Sequence, residues 1–406
     1  DPDARTVAVR VRDRFGDYGL VGFAAVTDGV VEQLAFSCRI LGMGVERAVY
    51  EWLGTPAIEV AEPVSAPLQG ERPDWLRIVE GPAGPPAEAA SGAAGGSPGQ
   101  PGPPGRAELL FVGGCDLESV LPFLGDPDAV ARHFNYSPAE TPRLIVHRDS
   151  IDYLLADELP EAARTAILAD APFLDAEALV PPAWAGFREI VYSPLIDYVQ
   201  AKYARPDLPG VYVSFGDVEQ PNLDAAKISS LAKRYGLDPV RLEAFAQRWQ
   251  VVRKPDEVWR EQLRRLFSRI PADARLTVLL GATDAFGLDP ERLETHRHHN
   301  ALVSGVAAEF PNVATLAVDP LLHGREDFTN SIRHYSRRVY HDLARELSAR
   351  LGTSAAVVLP EAAAAPGRKE ARKPIATRRA PVSAARRLLR RGLRRLRDVT
   401  GPRERT

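Results

Sequence analysis

Apolar residues fall along this chain in three rhythms. Over TVAVRVRDRF (6–15) they alternate with polar ones, the two-residue period of a strand with one buried face. A GDYG turn signal leads into LVGFAAV (20–26), a second and more buried strand, and VVEQLAFSCRI (30–40) reads as a third. RILGMGVERAVYEWLG (39–54) then runs through glycines into a helix with Val45, Val49, Trp52 and Leu53 on one face. Further on, AELLFVGG (107–114) and RLTVLLGATD (275–284) are apolar enough to be buried strands. PRLIVHRDS (142–150), FREIVYSPL (187–195), GVYVSFGD (210–217) and NVATLAVDP (312–320) are shorter strand candidates. Helical spacing marks EAARTAILADA (161–171), NLDAAKISSLAKRYG (222–236) and PVRLEAFAQRWQVV (239–252). It also marks ERLETHRHHNALVSGVAAEF (291–310) and HYSRRVYHDLARELSARLG (334–352), the last stopped by Gly352.

Strands alternating with helices over 107–352 predict an α/β domain built on a doubly wound parallel sheet, preceded by an α+β piece at 1–60. Between them, 61–106 is a linker whose Pro/Gly density blocks both helix and strand. Residues 353–406 form a flexible basic tail.

Charge separates the tail from the body. From Arg368 onward 15 basic residues face 3 acidic ones, a net of +12; with −3 overall, the rest carries −15. SAARRLLRRGLRRLRDV places Leu388, Leu389, Leu393 and Leu396 among arginines, a pattern open to an anionic membrane or a nucleic acid. Gly392 interrupts it and no aromatic anchors it, so an arm folding back on the acidic body is the preferred reading. Cys38 and Cys115 lie in different segments, which predicts no disulfide and fits a reducing cytoplasm. No apolar run reaches 18 residues and no signal peptide is visible. The chain opens on Asp1 and its one methionine is Met43, so the native start is expected to be missing.

The candidate chemistry centres on Gly113-Gly114-Cys115 after the AELLFV strand. Open α/β sheets bind ligands at the carboxyl ends of their strands, and the glycines let backbone approach a substrate there. Cys115 at the start of the next helix sits where the helix dipole favours a thiolate; the plain alternative is a buried small hydrophobe. His334, on the loop before the last helix, is the expected base. In the HRHH cluster, His296 and His299 share a helix face but lack a further ligand at metal-binding spacing. A solvated helix face is therefore expected, and no metal.

Two resemblances extend this. GGC at 113–115, Gly281-Ala-Thr283-Asp284 after a buried strand, and His334 before the closing helix resemble, in order, the motifs of SGNH/GDSL-type hydrolases and acyltransferases. The resemblance implies Cys115 as nucleophile and His334 as base. Gly114 and Thr283 would serve the oxyanion, Thr283 in the usual Asn position, and Asp284 the substrate. The usual acid would fall three residues before His334, where this chain has Ser331, so Asp327 or Asp319 is expected to substitute. Separately, VRVRDRFGDYGLVGFAAV and FSCRILGMGVE resemble the carboxyl-terminal GNAT-like part of FkbH-like proteins, of HAD phosphatase subfamily IIIC, which load a glyceryl unit onto an acyl carrier protein. That implies a pantetheine or phosphate contact by Arg39, Gly42 and Gly44. The HAD aspartate motif is absent from the chain, so no phosphatase activity is carried over.

The expectation is acyl transfer or ester hydrolysis in secondary-metabolite or polysaccharide biosynthesis. The donor would be acyl-CoA or an acyl carrier protein thioester, the acceptor a sugar or polyketide hydroxyl, with no tightly bound cofactor. The alternatives are a non-catalytic module binding a carrier protein or glycan, or a fragment of an FkbH-like loading enzyme.

Overall fold

The computed structural model describes residues 5–13, 16–37, 40, 43–58, 68, 76–81, 109–138, 140–141, 144–215, 223–329 and 331–351. Arg39, Gly42, most of the linker, the tail and Gly352 lie outside the described residues, and no described helix is long and apolar enough to cross a membrane.

Strands β1 (Arg5–Asp13), β2 (Gly16–Thr27) and β3 (Val30–Phe36) form an antiparallel sheet, followed by helix α1 (Val45–Trp52). Val9, Tyr18, Val21, Ile40, Val45 and Val49 make its small core.

β4 (Leu109–Gly113) opens the main body and leads into α2 (Cys115–Val120). Next come β5 (Val130–Phe134), the single turn α3 (Ile151–Leu154), α4 (Glu161–Asp170) and β6 (Glu189–Tyr192). After α5 (Leu195–Val199) the chain makes an excursion. β7 (Lys202–Ala204), β8 (Tyr212–Ser214) and β9 (Gln250–Val252) form a small antiparallel sheet, with α6 (Ala225–Tyr235) and α7 (Pro239–Arg248) between its last two strands. α8 (Asp256–Ser268), β10 (Arg275–Leu280), α9 (Pro290–Ala307), β11 (Val313–Ala317) and α10 (Arg337–Leu351) complete the body.

The central sheet is parallel throughout, in the order β11-β10-β6-β4-β5. Its direction of winding reverses between β4 and β6, and a crevice opens at such a switch point outside the strands' carboxyl ends. Alternate residues of β4 explain why the sheet is buried on both sides. Leu109 and Phe111 pack with α10 through Val339, Leu343 and Leu347; Leu110 and Val112 pack with α8 and α9 through Leu263, Phe267 and Val303. A third core under the small sheet gathers Phe173, Phe215, Phe245 and Trp249, with Phe173 stacked on Phe215 at 4.2 Å.

Two expectations need correction here. PRLIVHRDS is not a strand: its described part forms only a bridge, Val146 with Tyr136, and then enters a turn at 148–149 that leads into α3. GVYVSFGD supplies β8, but to the small antiparallel sheet rather than the central one.

Candidate active site

β4 is buried along its whole length and delivers Gly113 and Gly114 to the switch point. Both glycines answer to space rather than to backbone conformation. A Cβ on Gly113 would lie 2.9 Å from Leu117 Cδ1, and one on Gly114 would lie 2.9 Å from Asn135 Nδ2. Cys115 then begins α2, half-buried and in no disulfide. Asp116 beside it accepts the Leu117 amide at 2.8 Å and is hydrogen-bonded by Ser193 at the end of β6, which fixes the start of the helix.

His334 reaches Cys115 from 219 residues away: Nε2 lies 3.6 Å from Sγ. Its loop is rigid for identifiable reasons. Ile332 and Tyr335 on either side are buried, Phe328 and Tyr335 form a bridge, and the Thr329 amide donates to the His334 carbonyl at 2.9 Å. On the far side of the ring, Nδ1 lies 3.2 Å from Ser331 Oγ. A hydroxyl that accepts from Nδ1–H leaves Nε2 as the basic nitrogen facing the thiol.

The expected carboxylates are elsewhere. Asp327 is buried and accepts from the amides of His323 (2.6 Å) and Gly324 (3.3 Å) and from Arg338 Nε (3.1 Å). Burial pushes its pKa up, but Arg338 and those amides outweigh it and hold the carboxyl below its usual range. Asp319 accepts from Thr283 N (2.7 Å), Thr283 Oγ1 (2.8 Å) and Asp284 N (3.3 Å). It is thus a clamp on the loop after β10, and Ser331 occupies the place at the imidazole. The same bonds turn Thr283 away from an oxyanion role, since its amide and hydroxyl both go to Asp319. Asp284 is exposed, accepts the Phe286 amide at 3.0 Å, and does not line the cavity at Cys115.

Asn135, rather than Thr283, lies beside Gly114 in the cavity wall. It follows β5 directly, and its amide is held at both ends. Nδ2 lies 2.9 Å from His147 Nδ1, and Oδ1 accepts the Asp149 amide at 3.5 Å. An amide nitrogen has two hydrogens, so one remains for a ligand beside Gly114. Behind this pair, Asp149 is fully buried, 3.8 Å from His147 Nδ1, with no hydrogen-bond partner on either carboxylate oxygen. Burial pushes its pKa up to about 7; His147 lowers it, while Asp197 and Asp116 add to the rise. Sequence alone misses this group because Arg132 and His133 break the apolar run of β5, while HRDS belongs to a segment that reads as a strand.

Gly114, Cys115, Asn135, His147 and His334 line one cavity of about 600 Å³, whose further walls include Leu195 and, from the N-terminal sheet, Tyr18. Arg337 ties that sheet down, with its guanidinium 3.8 Å from the Tyr18 ring and 4.8 Å from the Phe123 ring.

Two other groups of expected residues lie apart. Gly44 caps α1 in the left-handed region (φ 74°), where glycine is favoured, with Glu46 in the first turn, while Arg39 and Gly42 lie outside the described residues. His296 and His299 are buried rather than solvated, because α9 turns that face inward; His298 lies 2.8 Å from Asp256. Among the described residues no group of three or more His, Cys, Asp or Glu could hold a metal ion. No protein-family model matches the chain, and neither a curated protein nor a solved structure matches it.

Proposed function

We propose that the protein transfers acyl groups through a covalent Cys115 thioester, with His334 as the base. The observation that carries this reading is the pairing of Cys115 Sγ with His334 Nε2 at 3.6 Å, backed by Ser331 at Nδ1, at the mouth of a parallel-sheet crevice. The resemblance of the three motifs to SGNH/GDSL-type enzymes supports it; the GNAT-like likeness of 1–60 supports a carrier-protein or CoA thioester as donor.

Cys115 gives its proton to Nε2 while Sγ attacks the donor carbonyl, whose π pair moves to oxygen. The Gly114 amide and the remaining N–H of Asn135 are the donors for that oxyanion. Collapse expels the donor thiolate, which takes the proton back from Nε2 and leaves acyl-Cys115. An acceptor hydroxyl then attacks, its proton passes to Nε2, and Sγ departs and regains it. A sugar or polyketide hydroxyl makes the protein a transferase; water makes it an esterase. A serine at Nδ1 suits this pair, since a thiolate–imidazolium couple depends less on a carboxylate than an alkoxide does.

The test is intact and peptide-level mass after exposure to acetyl-CoA and to p-nitrophenyl acetate. We expect one acetyl group on Cys115, none in Cys115→Ala, and formation slowed by about 10²-fold or more in His334→Ala. A chain that stays unmodified with both donors overturns the reading and leaves a binding module.

A further inference from the structure

The cavity at Cys115 has two unlike sides. β5 and the segment after it supply Arg132, Asn135, Ser137, His147 and Arg148. β10, β11, the residues just after them and α10 supply Leu279, Leu280, Gly281, Leu316, Val318 and Leu343, with no charge and no polar side chain among them. Cys115 stands between the two sides, because β4 lies between β5 and the β6–β10–β11 half of the sheet.

The apolar side is cut into the core. Leu279, Leu316, Val318 and Leu343 are each 7% exposed or less and belong to the layer packed between the sheet and α10. Leu121 and Tyr335 belong to that layer and line the same cavity, and Tyr335 adjoins His334. Protein interiors are close-packed, with few voids larger than a water molecule, so core side chains around open volume call for an occupant. Ordered water needs polar partners, which leucine and valine walls do not offer, and hollows of this kind take apolar ligands instead. The sheet sets the reach of the hollow. β11 lies three strands from β4, about 14 Å at the usual spacing. An acetyl group on Cys115 leaves most of that length empty, whereas several methylenes in a row run along it.

We infer that the acyl group carried by the donor is a medium-length aliphatic one, hexanoyl to octanoyl, laid on the β10–β11 side with its carbonyl at Cys115. This rests on the acyl-transfer reading for the thioester, though not for binding of the hydrocarbon. The full-length protein is exposed in turn to p-nitrophenyl acetate, butyrate, hexanoate and octanoate. In each case Sγ bonds to the acyl carbon as the ester C–O bond breaks, and the thiol proton leaves with p-nitrophenol. Formation of acyl-Cys115 is followed by intact mass and divided by the rate of each ester with free cysteine. It rises about fourfold per added methylene as far as hexanoate or octanoate. Leu316→Phe and Val318→Leu narrow the hollow, and each lowers the octanoate-to-acetate ratio about tenfold or more. Where Leu316→Phe does not fold, Val318→Leu, an addition of one methylene, and the ester series still decide. Binding is read separately by calorimetry on Cys115→Ala, where octanoate binds about tenfold or more tighter than butyrate. Acetate reacting as fast as octanoate overturns the inference and leaves transfer of a short acyl group. A ratio indifferent to both substitutions overturns it as well. Octanoate binding with no acyl adduct from any ester keeps the hydrocarbon site and sinks the acyl-transfer reading.

Discussion

Asp149 is a carboxyl with nothing to bond to. Its neighbours, His147 on one side and Asp197 and Asp116 beyond, leave burial as the dominant influence on its proton. A carboxyl whose pKa rises from 3.8 to about 7 on folding favours the fold fully below 3.8, and that contribution is lost as pH rises through 7. Asp149→Asn keeps the shape and removes the charge. The variant is expected to match the wild type near pH 4 and to be more stable by about 4 kcal/mol at pH 8, read from urea midpoints across that range. A gap independent of pH would mean that Asp149 is ionised and stabilised by a partner. The same residue bears on activity, because its amide holds Asn135 Oδ1 while His147 holds Nδ2. Protonating His147 would turn an acceptor into a second donor facing Nδ2 and release the side chain.

At the scale of elements, the strand–glycine–helix unit of β4 and α2 is where shape and chemistry meet. Gly114→Ala drives a Cβ into Asn135 Nδ2 without disturbing Cys115 or His334 directly. It should slow acyl-Cys115 formation about tenfold or more, as Asn135→Ala does, and the double variant should lose no more than the worse single one. Burst rates with p-nitrophenyl acetate measure all three, and additive losses would separate Gly114 from Asn135. This unit was legible in sequence because β4 and β10 are apolar on both faces and α10 keeps its helical period. β5 was not, since an edge strand tolerates Arg132 and His133. α8 was legible but is easily passed over: Trp259, Leu263, Leu266 and Phe267 keep one face under a highly charged sequence. The approach of His334 to Cys115 could be read from order along the chain. Ser331, Asn135 and the diversion of Asp319 to Thr283 could not, because they depend on which loops the sheet brings side by side.

For the molecule as a whole, three of the buried histidines, His133, His296 and His299, set an acid limit. Burial lowers the pKa of His133 to about 3, with Arg148 adding to the effect, and lowers those of His296 and His299 to about 4. An imidazole kept neutral by folding stabilises the fold above 6.5, and that contribution drains away as pH falls toward 4, where the unfolded chain binds the extra protons. Asp149 works in the opposite direction over a similar range, but one carboxyl faces three imidazoles. Thermal midpoints should therefore fall steadily from pH 7 to pH 4.5, and replacing His299 by Leu should flatten the decline; a midpoint constant over that range would show the rings titrating in the fold. The contact of Tyr18 with the cavity has a separate consequence. The wall of the crevice is encoded partly by a hairpin nearly a hundred residues upstream of Cys115, so under the acyl-transfer proposal chemistry and substrate fit are inherited on different stretches of the chain. A chimera that grafts a foreign hairpin onto this body, keeping a tyrosine for Arg337 to stack on, would keep the reaction of one parent and take its selectivity from the other.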